Sequence, residues 1–166
     1  MKWAILYIAV VLTANYTALW FIPLPVFGLV AIGTILFGVT FTARDHVHRL
    51  GRAKVYIMIF VAALSSAVLV WIGTTPYRII IASITAIVIS EGADTEIYQK
   101  LVSKPWIVRV TGSNLLSVPL DTILFNFLSF FRVFPSNILI SIIIGEIIVK
   151  YIIGLLVAIL KTGVDR

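Results

Sequence analysis

The sequence predicts an all-α polytopic membrane protein with six transmembrane helices and both termini in the cytoplasm. Three observations predict it. Mean hydropathy is +1.12 with only 12% of residues charged, about half the charge of a soluble globular domain. Apolar runs of spanning length alternate with turn signals, and basic residues crowd alternate gaps between those runs. The runs follow one another at short intervals, so residues 1–166 are expected to form a single domain.

Taken in order, residues 3–22 form an apolar run of roughly the 20 residues needed to cross a bilayer. Lys2 precedes it as in a signal peptide, but no clear small-residue cleavage site follows, so an uncleaved first helix is expected. Pro23 and Pro25 mark a turn, after which residues 26–43 are expected to form the second span. A basic loop, RDHVHRLGRAK, covers 44–54. The third span is read at 55–72 and is ended by Gly73-Thr-Thr-Pro76. The fourth begins near Tyr77, the fifth covers 109–131 and the sixth 138–160. Ala82, Ala86 and Ser90 on the fourth, and Ala63 and Ala67 on the third, are small residues at helical spacing that permit close backbone approach.

With both ends inside, the cytoplasmic segments hold Lys2, Arg44, Arg49, Arg52, Lys54, Lys100, Lys104, Lys161 and Arg166, against Arg78 and Arg132 outside. This asymmetry sets orientation. It also explains a pI of 9.8 without nucleic acid, since the charges are scattered rather than gathered into a patch. The absence of cysteine removes disulfides, thiolate ligands and a cysteine nucleophile, and no phosphate-cradling glycine loop occurs. Asp45, His46 and His48 have no third strong ligand nearby, so a charged turn is favoured over a metal site. Ser65-Ser66 lacks a neighbouring base and suits interhelical hydrogen bonding. No catalytic residue, metal or cofactor is expected.

The stretch SEGADTE at 90–96 carries the functional signal. Residues 79–89 supply about 16 Å of helix at 1.5 Å per residue, half of a ~30 Å hydrocarbon core. For this segment to cross, Glu91 and Asp94 must lie roughly 20 and 24 Å below Arg78. Glu96, four residues before Lys100, suits an exposed helical pair. The fifth span holds Asn114, Ser117 and Asp121 at i, i+3 and i+7, the same spacing as Glu91, Asp94 and Tyr98 on the fourth. Ionisable groups in a bilayer cost at least ~2.5 kcal/mol each and therefore face a cavity or a partner. Pro119 interrupts the backbone beside Asp121, as in the broken helices of transporter sites. Ser90-x-x-x-Asp94-Thr95 and Ser117-x-x-x-Asp121-Thr122 echo each other, which suits either a fragment of inverted repeat or coincidence between two short windows. Glu146 and Lys150, at i and i+4 on the sixth span, are expected to pair or to snorkel, with Glu146 a lesser site candidate.

GTILFGVTFTARDHVHRLGR, ASITAIVISEGADTEIYQKL and RVTGSNLLSVPLDTILFNFLSF resemble the VUT family, the queuosine precursor transporters of bacterial inner membranes. Asn15 is similar to the family's early Asn. The resemblance covers most of the chain in order. It departs in overall length, which is shorter than typical members, and in the His-Val-His-Arg that follows Asp45, where many relatives carry another acid.

The resemblance implies a multi-pass inner-membrane transporter that imports 7-cyano-7-deazaguanine or its aminomethyl relative for tRNA queuosine salvage. It implies Asn15, Glu91, Asp94, Tyr98, Asn114, Ser117, Asp121 and Phe125 as substrate-binding residues, with Arg44, Asp45 and Arg109 in gating or coupling. Deazaguanine chemistry fits: adjacent N–H donors suit a carboxylate such as Glu91 or Asp121, O6 suits a donor such as Asn114, and the ring suits stacking on Tyr98, Phe125 or Phe127. The expected partners are the deazaguanine and the lipid bilayer, with proton coupling and a homo-oligomer left open. A substrate-capture subunit energised by a separate ATPase, or a membrane enzyme using Glu91 and Asp94, are the rival readings.

Overall fold

The computed structural model describes residues 2–25 and 28–164, the last four as backbone only. Val26, the expected start of the second span, and Arg166 lie outside the described residues, as does the side chain of Lys161. The chain runs α1 (Lys2–Tyr16), β1 (Phe21–Leu24), β2 (Gly28–Ala31), α2 (Ile32–Ile35), α3 (Phe37–His48), α4 (Arg52–Trp71), α5 (Tyr77–Lys100), α6 (Trp106–Phe130) and α7 (Ser136–Val164).

The expected helices three to six correspond to α4–α7 within a few residues at each end. Among the described residues, α4 and the 136–160 part of α7 are long and apolar enough to cross a membrane, yet only 33% and 39% of their apolar windows are buried. An apolar helix left mostly uncovered by its own protein is matched to lipid rather than water. Helices α5 and α6 are as long but carry the acids. Trp71 and Tyr77, beside the turn that joins α4 to α5, are 88% and 70% exposed, as interfacial aromatic anchors are.

The first two spans depart from expectation. Helix α1 ends at Tyr16, not residue 22, and β1 and β2 pair antiparallel, Phe21 with Ala31 and Leu24 with Gly28. A run of apolar residues does not distinguish strand from helix. Here the prolines decide, because each disfavours helical geometry at the residue before it, Ile22 and Leu24. Gly28 takes a φ of +72° as the second strand begins, a conformation that favours glycine. The expected second span is therefore a strand followed by two helical pieces, α2 and α3.

Helix α3 continues to His48, so Arg44, Asp45 and His48 are buried helical residues and not parts of a charged loop. Arg44 is consequently no marker of orientation. Gly33 lets α2 cross α1 closely: a Cβ there would sit 3.0 Å from the Ala14 carbonyl oxygen. Asn15 on α1 donates to Ser66 on α4 at 2.9 Å, tying these helices through a buried polar pair. Ala82, Ala86 and Ser90 are buried on α5 as small residues in a helix contact should be, while Ala67 on α4 faces outward.

Candidate functional site

Helices α5 and α6 run antiparallel along their length. Arg78 donates to the Leu128 and Phe131 carbonyls at 2.8 and 2.6 Å, covering the C-terminal end of α6. Lower on the seam, Ser90 donates to Asp121 at 3.3 Å and Ser117 donates to Asp94 at 2.8 Å. Each helix thus supplies the serine for the other helix's aspartate. The repeated Ser-x-x-x-Asp spacing becomes a local two-fold relationship, because a contact from i to j is matched by its reverse.

Each aspartate also receives one cation from outside the pair. Arg44 on α3 approaches Asp94 at 3.2 Å and Glu91 at 3.0 Å, and its second guanidinium nitrogen reaches Asn114 at 3.4 Å. Lys150 on α7 contacts Asp121 at 2.7 Å and Thr122 at 3.0 Å. Buried ions of one sign demand such neutralisation, since desolvation outweighs any isolated charge. Glu146 does not bond Lys150 one turn away. Its two oxygens accept from the Asn126 amide at 2.8 Å and from the backbone N–H of Ala31 at 3.1 Å.

These groups surround a cavity of about 100 Å³ between α1, the β2–α3 segment, α5, α6 and α7. On that measure one water needs roughly 10–15 Å³, so the space admits a small molecule or several waters. Glu91, Asp121, Glu146 and Lys150 reach its wall together with Tyr7 and Phe125. Asn15 also lines it. The expected binding residues therefore divide. Asn15, Glu91, Asp121 and Phe125 face the cavity, while Asp94, Asn114 and Ser117 stand behind the wall as partners of Arg44 and of each other.

Tyr98 stacks on His48 at 4.3 Å, with the Arg109 guanidinium 5.4 Å from its ring centre, at a separate place on the bundle. Asp45 is buried on α3 beside Arg44 in sequence. Phe127 points outward and stacks on Phe131 at 4.6 Å. Glu96 accepts from Arg52 and Tyr56 on α4 rather than from Lys100. Pro119 has no N–H, which leaves the Leu115 carbonyl without its helical donor. Tyr151 on α7 supplies one at 2.9 Å.

Residues 55–163, about two thirds of the chain, match the family described as "putative vitamin uptake transporter". The chain belongs to this family. It is accordingly a membrane protein of a transporter family, with the apolar α4 and α7 suited to that setting. No curated protein and no solved structure matches the chain. The matched part of this vitamin uptake transporter family member includes every cavity acid, Lys150 and Phe125, whereas Asn15, Arg44 and the two strands precede it.

Glu146 was a lesser site candidate and Lys150 was expected only to pair with it or to snorkel, while Tyr7 and Phe37, which also line the cavity, were not singled out. No local signal identifies the two aromatics, which sit in ordinary apolar runs. Glu146 and Lys150 carry the same signal as Glu91, a charge within a span. For Lys150 the i, i+4 spacing to Glu146 obscured it.

Proposed function

We propose that the chain is a six-span transporter of the bacterial inner membrane, with both termini cytoplasmic, that imports a 7-deazaguanine base for queuosine salvage. The observation that carries this reading is the cavity with Glu91, Asp121 and Glu146 on its wall beside the Phe125 ring. Carboxylates inside a bilayer accept paired N–H donors from a flat heterocycle, and an aromatic ring offers the cargo a stacking surface. In this reading α1, the broken β2–α3 segment and α4–α7 make the six crossings. Irregular backbone at membrane depth is tolerated where it borders a cavity, as the β2–α2 segment does.

Uptake of 7-cyano-7-deazaguanine by cells that depend on its salvage tests the proposal. Wild-type chain should restore tRNA queuosine, while Glu91→Gln and Asp121→Asn chains present at normal level in the membrane should import at less than about a tenth of that rate. Full import by both variants contradicts the reading, as does failure of the wild-type chain to support any import.

A further inference from the structure

We propose that α7 reads the hydrogen-bonding edge of the cargo, with Glu146 accepting its paired N–H donors and Lys150 donating to the adjacent carbonyl oxygen. This rests on the guanine-like cargo proposed above and moves its recognition from Glu91, Asp121 and Asn114 to Glu146 and Lys150.

The argument begins with what each wall group already does. Glu91 is engaged by Arg44 at 3.0 Å, and Asp121 by Lys150 at 2.7 Å. Asn114, the expected donor to a carbonyl, stands behind the wall with its oxygen turned to Arg44. Glu146 differs: it is 2% exposed, lines the cavity, and has two neutral donors but no ion pair among the described residues. One donor is the main chain of β2 and the other a fully buried amide, so the carboxylate is fixed in orientation.

Each carboxylate oxygen has two acceptor sites. With one taken on each by Ala31 and Asn126, one on each remains. Two parallel acceptors match two parallel donors, as in other bidentate carboxylate contacts. Lys150 has three N–H donors, of which Asp121 and Thr122 take two. The third has no hydrogen-bond acceptor among the described residues, the ammonium lying 4.4 Å from the centre of the Phe37 ring, and a cargo oxygen can take it. Residues four apart on a helix stand about 5–6 Å apart at Cβ, so α7 presents two acceptors and then a donor in sequence. The amine, N1–H and O6 of a guanine-type ring are the complement of that order.

Binding of three probes to purified chain in detergent tests this: 7-deazaguanine; 7-deazahypoxanthine, which lacks only the C2 amine; and 7-deazaadenine, which lacks that amine and the N1–H and carries an amine in place of O6. Wild-type chain should prefer 7-deazaguanine over each by about tenfold or more, because a lost donor leaves a buried carboxylate oxygen unmatched. Glu146→Gln should weaken 7-deazaguanine binding at least about tenfold and reduce its preference over 7-deazahypoxanthine to near unity. A merely structural Glu146 would move stability but leave that preference intact. Equal binding of the three probes by wild-type chain overturns the inference even where Glu146→Gln does not fold. An unchanged preference in Glu146→Gln overturns it and leaves the cargo assignment standing, whereas absence of deazapurine binding to wild-type chain overturns both.

Discussion

Ser117 on α6 donates to Asp94 on α5 at 2.8 Å, and the reverse contact from Ser90 to Asp121 spans 3.3 Å on the same seam. Two serines and two aspartates thereby hold the antiparallel pair in one register. Interhelical hydrogen bonds in membrane proteins contribute about 0.6 kcal/mol on average and up to ~1.7. Ser117→Ala is expected to cost near the upper figure, because Asp94 is fully buried. Ser90→Ala is expected to cost less, its contact being longer and partly exposed. Unfolding of each variant in detergent, compared with wild type, gives both values.

Lys150 and Asp121 form the second buried cation contact. Lys150→Met leaves Asp121 charged without its partner, and breaking a buried pair in this way costs about 3 kcal/mol or more. The double variant with Asp121→Asn removes the stranded charge and should recover most of that loss. A double-mutant cycle on unfolding free energies measures the coupling. Additive losses would mean that the pair does not act as a unit.

Tyr151 meets the carbonyl that Pro119 frees. Tyr151→Phe should cost about 1 kcal/mol by leaving the Leu115 carbonyl unsatisfied. In a Pro119→Ala background residue 119 supplies its own N–H, and the same change should cost less. The difference between the two backgrounds, read from unfolding curves, isolates the proline's share.

Gly28 opens β2 at a φ of +72°, and a Cβ there would lie 2.5 Å from Ser141 Oγ on α7. Gly28→Ala should destabilise the chain by about 1–2 kcal/mol, the cost of the left-handed conformation for a residue with a side chain. Removing the hydroxyl in Gly28→Ala with Ser141→Ala should relieve only the contact and leave most of this cost. Melting temperatures of the single and double variants check it.

Much of the lower bundle was legible in the sequence. The turn at Gly73–Pro76 bounds α5, and charge within an apolar run singled out Glu91, Asp94 and Asp121. The shared spacing of Ser90 with Asp94 and of Ser117 with Asp121 was open between a fragment of inverted repeat and coincidence, and did not say that each serine serves the other helix. Arg44 was read both as a charge of the basic loop and as a gating or coupling residue; its burial was not legible, because it depends on two acids 47 and 50 positions further along the chain. The break in the second span was hidden for a different reason. Phe, Ile, Leu and Val suit strand and helix alike, and the choice there rests on Pro23, Pro25 and the packing of β2 against α7.

The central claim is that the cavity between α1, α5, α6 and α7 holds the cargo. Ala86 is 1% exposed and lines that cavity, so Ala86→Phe fills it without replacing a charged group. Calorimetric titration of purified chain with 7-cyano-7-deazaguanine is the direct measurement. Saturable binding at one site per chain, lost in a folded Ala86→Phe variant, is the predicted result; no binding to wild-type chain, or equal binding to the filled variant, would contradict the account.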